Sequence, residues 1–132
     1  MTEYSIFEID TGEFVVSMDM PNVDQLRLNY DAATQEAILG DFDERYYCND
    51  GVVEVRPSIP IPTVSARSLD FATPPQGLHV SVYDSEFGGY LMGTGEVSGE
   101  NARVVIPGPG LFRFCFTASF PFLPLEIEQR FV

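Results

Sequence analysis

Apolar and polar residues alternate along five separate stretches of this chain, and this period of two constrains the fold more than any other feature. Neighbouring side chains on a β-strand point to opposite faces, so alternation is typical of strands with one buried face. In EFVVSMDM the pattern places Phe14, Val16, Met18 and Met20 on one face. The stretches DQLRLNY, GLHVSVY, LFRFCF and LEIEQRFV alternate in the same way. The sequence therefore predicts half-buried antiparallel strands at all five places.

Each of the other four stretches has its own predicted inward set. These sets are Leu26, Leu28 and Tyr30; Leu78, Val80 and Val82; Phe112, Phe114 and Phe116; and Leu125, Ile127 and Phe131. Turn-forming clusters separate the stretches, namely DTG, NDG, PPQG, FGG, SGEN and PGPG. Many short strands joined by glycine and proline turns are typical of sandwiches and barrels. We expect an all-β fold, an antiparallel two-sheet β-sandwich, with residues 1–132 forming a single domain.

Two segments depart from the alternating pattern. DAATQEAILG has two interpretations: a short helix near residues 31–39, capped by Asp31 and stopped by Gly40, or a loop followed by a strand from Glu36 to Phe42. RPSIPIPTVSAR contains three prolines that cannot donate ladder hydrogen bonds, which predicts an edge strand or an extended crossover.

The N-terminal residues and the cysteines bear on the cellular compartment. MTEYSIFEIDTGE has acids where a signal peptide has bases, and no apolar run approaches the roughly 20 residues of a membrane helix. We therefore expect a cytoplasmic protein without a membrane partner. Because no export signal is seen, Cys48 and Cys115 are expected to be free thiols in preference to a disulfide, and since neither belongs to a CxxC pair, a zinc site is not expected.

The formal net charge of −13 is unevenly distributed. Residues 1–54 contain thirteen acidic residues and two arginines, a net of −11, whereas the remaining residues contribute only −2. A strongly acidic surface repels phosphates, so direct binding of nucleic acid is not expected.

Catalytic motifs are weak in this sequence. The single histidine, His79, lies near Ser81 on a predicted strand, but no glycine elbow surrounds that serine, so a surface histidine is the favoured interpretation. Acidic residues in GDFDERYYCNDG could bind calcium, yet their spacing does not match the twelve-residue calcium loop. We predict no catalytic residue, no metal site and no cofactor.

The acidic segment within residues 41–50 is the strongest candidate for a function. Its charges either keep the protein soluble and prevent edge-to-edge pairing, or they recognise a basic protein partner. Aromatic side chains among the acids are of the kind enriched in binding hot spots. The predicted partner-binding residues are Asp41, Phe42, Asp43, Glu44, Tyr46, Tyr47 and Asp50.

The C-terminal stretch IPGPGLFRFCFTASF, followed by LEIEQRFV, resembles the end of small bacterial proteins of the competence protein J type, which inhibit a DNA-entry nuclease. Pro109, Gly110, Phe112 and Arg113 fit the turn and aromatic strand of that group, and residues 126–129 fit its last strand. Pro121, Pro124 and the terminal Phe131–Val132 depart from the pattern, and the likeness covers only the C-terminal quarter of the chain.

The resemblance implies a small acidic inhibitor or immunity-type protein and assigns no contact residue. The hypothesis is a non-catalytic acidic binding protein whose partner is a basic protein such as a nuclease. Two alternatives stay open: a structural or ligand-binding sandwich whose charge serves solubility, and a metal-binding carboxylate enzyme. The sequence does not determine the oligomeric state.

Overall fold

A computed structural model describes residues 2–21, 26, 29–98 and 102–132. Strands make up 54% of the chain and form four antiparallel sheets, and in the described residues no sheet closes into a barrel. The predicted all-β antiparallel class is therefore confirmed. The chain divides into two compact units, Met1–Arg56 and Pro57–Val132, which are described separately. That one domain spans residues 1–132 stays a prediction.

The first unit contains five strands in two sheets. A three-stranded sheet has the order β2-β1-β3, and β4 pairs with β5 as a hairpin. The strands are β1 (Thr2–Glu8), β2 (Phe14–Met20), β3 (Gln35–Leu39), β4 (Tyr46–Asn49) and β5 (Val52–Val55). The predicted NDG turn is confirmed, because Asp50 and Gly51 join β4 to β5 with positive φ angles of 50° and 79°.

A bulge in β2 corrects the predicted alternation of EFVVSMDM. Ile6 pairs with Val16 and Phe7 pairs with Phe14, so Val15 is the extra residue between them. One extra residue moves every side chain beyond it to the other face of the sheet. Phe14 therefore lies on the opposite face from Val16, Met18 and Met20, and its ring contacts Phe7 with centroids 5.8 Å apart.

The segment with two interpretations forms a turn followed by a strand. Asp31 stabilises the turn, because its carboxylate accepts hydrogen bonds from the Ala33 amide and the Thr34 hydroxyl. Strand β3 then runs from Gln35 to Leu39 and pairs with β1. Of the two interpretations, the short helix near residues 31–39 is therefore wrong and the loop followed by a strand is correct, although the strand spans Gln35–Leu39 and not Glu36 to Phe42. The Asx turn at Asp31 and the ladder to β1 satisfy backbone groups that a helix would have used.

The second unit contains seven strands in two sheets. One sheet has the order β12-β11-β8-β9 and the other the order β10-β7-β6. The strands are β6 (Thr63–Ser65), β7 (Ser68–Asp70), β8 (His79–Asp84), β9 (Tyr90–Glu96), β10 (Arg103–Val105), β11 (Gly110–Thr117) and β12 (Leu125–Phe131). The proline-rich stretch ends in the edge strand β6, as the sequence predicts.

The core of the second unit follows the predicted inward residues. Phe112, Phe114 and Phe116 on β11 are buried, and β11 lies between β8 and β12. The ring of Phe116 meets Phe71, which follows β7 in the opposing sheet, at a centroid distance of 5.1 Å. Burying each phenylalanine stabilises the fold by roughly 1.5–3 kcal/mol. The second unit by itself is thus a two-sheet sandwich filled by one cluster of apolar side chains.

Other sequence predictions have mixed outcomes. The inward sets Leu78, Val80, Val82 and Leu125, Ile127, Phe131 are confirmed, because each belongs to or packs against that core. The predicted strand DQLRLNY falls largely outside the described residues, although Leu26 within it is buried.

Both cysteines are free, with Cys48 buried and Cys115 half-buried. In the described part of the chain, no helix has the length and apolarity required to cross a bilayer.

We predict that Gly12→Ala destabilises the protein far more than Gly51→Ala. Both glycines have positive φ, 81° and 79°, so each alanine carries a left-handed backbone cost of about 1–2 kcal/mol. A Cβ at Gly12 would also lie against the Cys48 carbonyl oxygen, whereas a Cβ at Gly51 meets nothing within 4 Å. Urea unfolding of both variants measures the difference, and equal losses would contradict the close packing of β4 against Gly12.

Candidate protein-binding site

A buried serine holds the acidic segment in place. Ser5 on β1 is fully buried, and its hydroxyl donates to the Gly40 carbonyl (2.8 Å) and accepts from the Phe42 amide (2.9 Å). Ser17, paired with Ser5 across the β1–β2 ladder, donates to the Asp41 carboxylate at 2.9 Å. Residues 40–45, here called the acidic loop, therefore begin with three consecutive residues hydrogen-bonded to one face of the sheet.

Aromatic packing fixes the next part of the acidic loop. The ring of Phe42 contacts Phe7 on the same face at 6.3 Å and Tyr46 at 5.2 Å. Since Phe7 is fully buried, Phe42 and Tyr46 continue the apolar core of the first unit outward and remain half-buried themselves. Part of each ring is therefore committed to the fold, and only the remainder is open to a partner.

Asp43 is paired within the loop. Its carboxylate accepts three hydrogen bonds from the Arg45 side chain, Nε to Oδ1 at 3.0 Å, Nε to Oδ2 at 3.1 Å and Nη2 to Oδ2 at 2.7 Å, and one from the Arg45 amide at 2.9 Å. These bonds hold the pKa of Asp43 below its ordinary value. Such a bidentate pair cancels most of the local charge, so Asp43 contributes less to the external field than its sequence suggests.

Tyr47 and Asp50 lie on the hairpin that follows the loop. The Tyr47 hydroxyl donates to Glu54 Oε2 at 2.9 Å, and this bond raises the pKa of Tyr47. Adjacent strand residues face opposite ways, so Tyr47 projects away from the side on which Tyr46 meets Phe42. Asp50 is exposed in the turn. The seven predicted residues are thus close in sequence but do not share one face.

Two acids that the sequence analysis missed lie beside Asp41. Glu3 on β1 and Asp19 on β2 are direct partners across the ladder, and both are exposed. The negative charge of Asp41 is the main cause of a raised pKa at Glu3, and smaller contributions come, in order, from burial, from a side-chain hydrogen bond with Asp41 and from the charge of Asp19. These three carboxylates, here called the acidic patch, come from three segments. Counting the antiparallel register back from the DTG turn was the only signal for the Glu3–Asp19 pair.

The carboxylates of the acidic patch are held together by hydrogen bonds from neighbouring residues and not by pairing with one another. Like charges placed directly opposite on a ladder destabilise it, so Glu3 and Asp19 contribute nothing to the sheet by themselves. The Ser17 hydroxyl binds Asp41, and the Ser5 hydroxyl binds its neighbours Gly40 and Phe42, so Asp41 is held beside Glu3. The arrangement concentrates negative charge at one end of the β2-β1-β3 sheet, where the hydrogen bonds of Ser5 and Ser17 fix the position of residues 40–42.

The catalytic and metal-binding candidates considered in the sequence are His79 and clusters of acidic side chains. His79 begins β8 opposite Thr117 and Glu96, and it is half-buried, which corrects the expectation of an exposed histidine. The cause is its position on an interior strand of the four-stranded sheet. In residues 2–21, 26, 29–98 and 102–132, no group of three or more histidine, cysteine or acidic side chains is arranged to hold a metal ion.

Comparisons with protein-family models, curated proteins and solved structures give no match to this chain. The resemblance to the competence protein J type therefore stays a prediction.

We predict that Ser5→Ala loosens the acidic loop. The change leaves the Phe42 amide and the Gly40 carbonyl without their buried partner, which costs about 1–3 kcal/mol. Hydrogen exchange at the Phe42 amide should accelerate, while amides of β11 in the other unit keep their protection. Ser17→Ala, whose hydroxyl is less buried, is the matched control and should cost less. An unchanged exchange rate at Phe42 would show that Ser5 does not anchor the loop.

The Cys48 thiol predicts a pH dependence of stability. Burial raises its pKa to about 11, and the hydrogen bond from Sγ to Glu36 (3.1 Å) acts in the same direction. An unfolded thiol has a pKa of about 8.5. The folded state binds this proton more tightly, so its contribution is full below the unfolded pKa and disappears as pH rises to about 11.

Unfolding free energies of the native chain and of Cys48→Ala, measured across this alkaline range, test the assignment. The native chain should lose stability more steeply than Cys48→Ala, and Cys115→Ala, the control, should behave as the native chain does. Parallel curves for the native chain and Cys48→Ala would contradict the role of Cys48.

Proposed function

We propose that this chain is a non-catalytic acidic binding protein that captures a basic protein, such as a nuclease, through the acidic patch and the exposed part of the acidic loop. The observation that carries the proposal is the position of Asp41 at an exposed end of the β2-β1-β3 sheet. Asp41 is hydrogen-bonded to Ser17, its neighbour Gly40 donates to the Glu3 carbonyl, and Glu3 is the direct ladder partner of Asp19. Solubility alone requires acids dispersed over the surface, whereas a concentrated and structurally fixed group has an additional use in recognition.

The electrostatic argument is that the free protein bears a repulsion which a cationic partner removes. The raised pKa of Glu3 shows that its charged form is disfavoured beside Asp41. An arginine or lysine placed between these carboxylates gains attraction and also relieves that repulsion. Because the patch belongs to a segment of net charge −11, its field also extends into solvent and accelerates the encounter with a basic surface.

The fixed conformation of the loop supports the same function. Ser5 and Ser17 bind the backbone and carboxylate at residues 40–42, so little conformational freedom is lost when a partner binds. Glu44 lies on this fixed loop and is exposed, and part of the Tyr46 ring is accessible at the end of the loop. Carboxylates beside an aromatic ring suit a partner whose surface combines basic side chains with an apolar pocket for the ring.

A nuclease is the preferred class of partner for a chemical reason. Its substrate cleft is basic because it binds phosphates, and rigidly spaced carboxylates can occupy the same positions. The likeness of the C-terminal strands to the competence protein J type points to the same class. An affinity capture from the native host, carried out at low and at high salt, should retain a basic protein only at low salt. Capture of no basic protein would favour the solubility interpretation.

Replacement of the three patch residues, Glu3→Gln, Asp19→Asn and Asp41→Asn together, should slow association with the captured partner by about tenfold at low salt. The partner's rate should also become less sensitive to salt, because fewer charges steer the encounter. Surface plasmon resonance at several salt concentrations measures both effects. Stability should remain within about 0.5 kcal/mol of the native value or increase, since repulsion is removed.

The matched control removes three exposed acids from other places, Asp10→Asn, Glu13→Gln and Glu128→Gln, with an identical change in net charge. A patch-specific effect requires the control to associate several-fold faster than the patch variant. Equal rates for the two triple variants would show that only the total charge matters and would overturn the assignment of the patch.

The loop itself is tested by the neutralising variant Asp41→Asn, Asp43→Asn, Glu44→Gln and by Tyr46→Ala or Tyr47→Ala. Because Arg45 already pairs with Asp43, the loss of Asp43 exposes an arginine, and most of the slower association should be traceable to Asp41 and Glu44. Tyr46→Ala should mainly accelerate dissociation, whereas Tyr47→Ala, on the other side of the hairpin, should have little effect.

A further inference from the structure

One side of the sandwich in the second unit is bounded by two edge strands. In the part of the chain that the structure describes, β9 ends the four-stranded sheet and β10 ends the three-stranded sheet. Six of the seven residues of β9 are exposed, among them Tyr90 and Leu91 at 71% and 56%. The outer edge of β9 therefore presents unpaired backbone donors and acceptors, which are the groups that an added strand requires.

An apolar groove lies between the two edges. Its base consists of Val82 and Phe112 from the four-stranded sheet, and its walls are Met92 and Gly93 from β9 and residues 105–107 at the end of β10. The cavity volume is about 190 Å³, comparable to the roughly 150 Å³ of an apolar protein cavity that accommodates benzene. The groove is thus large enough for branched aliphatic side chains, and Met92 and Gly93 of the edge strand β9 belong to its lining.

The glycines of β9 explain why the sandwich is open here. Gly93 pairs with Val82 and Gly95 pairs with Val80, so both glycines face the interior, as those valines do. Neither has a positive φ, and a Cβ at either would meet no described atom within 4 Å. Glycine inside a strand is destabilising relative to alanine, so the described fold gives no reason for two of them. Such glycines typically mark a place where another backbone or a ligand approaches closely.

The chemistry of the groove favours a particular occupant. A second copy paired through its own β9 would bring the same two glycines to the interior face, and the groove would remain unfilled. A different segment with large apolar residues at alternate positions fills it. Besides Tyr90, the only ionisable side chain of β9 is Glu96, which is exposed. Glu96 forms no ion pair among the described residues. Arg103 on β10 is already paired with Asp70. The uncompensated charge at this margin is therefore negative.

We propose that the free edge of β9 is a docking site for an extended segment of a partner protein that adds an antiparallel strand to the sheet. The segment places apolar side chains opposite Gly93 and Gly95 and a basic side chain opposite Glu96. In antiparallel register the residue opposite Glu96 precedes the two apolar residues, so the recognised pattern is basic–apolar–any–apolar. This site lies within the second unit and does not depend on the proposed function of the acidic patch.

The probe is a blocked synthetic peptide with the core Arg-Val-Thr-Val, titrated into the isotope-labelled full chain and followed by amide chemical shifts. Saturable shifts with sub-millimolar affinity, concentrated on β8, β9 and β10, are expected. The reversed peptide, Val-Thr-Val-Arg, should bind at least fivefold more weakly because its arginine no longer meets Glu96. Shifts located elsewhere, or no saturable shift at millimolar peptide, would overturn the proposal.

Two variants separate the groove from the rest of the strand. Gly93→Val fills the groove from within and should weaken binding of the peptide at least tenfold, while the spectrum of the variant reports that it is folded. Thr94→Val, on the outward face of the same strand, is the matched control and should bind as the native chain does. Gly93→Ala provides a milder version should the valine variant fail to fold.

Two further measurements test the role of the Glu96 charge and the possibility that a second copy of the chain occupies the edge of β9. Glu96→Gln should remove most of the preference for the forward peptide over the reversed one. Equal affinities for Gly93→Val and the native chain would overturn the groove assignment. A concentration-dependent dimer of the peptide-free chain, detected by sedimentation and abolished by Gly93→Val, would show that a second copy occupies the edge and would also overturn the proposal. Loss of patch binding in the preceding experiments leaves these outcomes unchanged.

Discussion

A β-sheet with large apolar side chains on its central strand must have that face covered, and each unit of this protein satisfies the requirement differently. In the second unit the face carrying Phe112, Phe114 and Phe116 is covered by another sheet, which supplies Leu69 and Phe71. In the first unit the face carrying Ser5 and Phe7 is covered by the acidic loop and the hairpin that follows it. The candidate binding site is therefore part of the cover of a core, and this origin explains its fixed conformation.

The choice of a serine at the centre of that face has a physical consequence. An apolar residue at position 5 would bury more apolar area, but it could not receive the Phe42 amide or bind the Gly40 carbonyl. A loop that covers a sheet face without forming a ladder with it must find partners for its backbone groups. The Ser5 hydroxyl provides both a donor and an acceptor at one point. Polar anchoring here substitutes for strand pairing, and it permits a charged segment to lie over a buried face.

Much of the fold followed from periodicity, and the parts that did not have identifiable physical causes. β8, β11 and β12 were predictable because their alternation is continuous and their inward residues are large. β2 was predictable as a strand, but its facing was not, because the bulge at Val15 changes the phase without leaving a glycine or proline as a signal. The strand at Gln35–Leu39 competed with a helix because alanine, glutamate and leucine favour helices locally, and pairing with β1 decided the outcome.

The candidate site shows a similar division. The concentration of acids near residue 41 was visible in the sequence, but the pairing of Asp43 with Arg45 and the approach of Glu3 and Asp19 depend on tertiary geometry. Sequence proximity therefore overestimated the role of Asp43 and omitted two acids distant along the chain. The prediction also missed Gly93 and Gly95, because glycines that closely follow the FGG turn are themselves expected in turns. Only the register with Val80 and Val82 shows that they belong to an interior face.

The two proposed surfaces use different forces, and this difference makes them separable within one chain. The acidic patch acts through long-range charge, so its effect lies mainly in the association rate and is reduced by salt. The edge of β9 acts through backbone hydrogen bonds and burial of apolar side chains, so its effect lies mainly in dissociation and is less sensitive to salt. Raising the salt concentration should therefore weaken binding at the acidic patch while leaving binding at the β9 edge nearly unchanged, so the two surfaces can be assigned separately even when both are occupied.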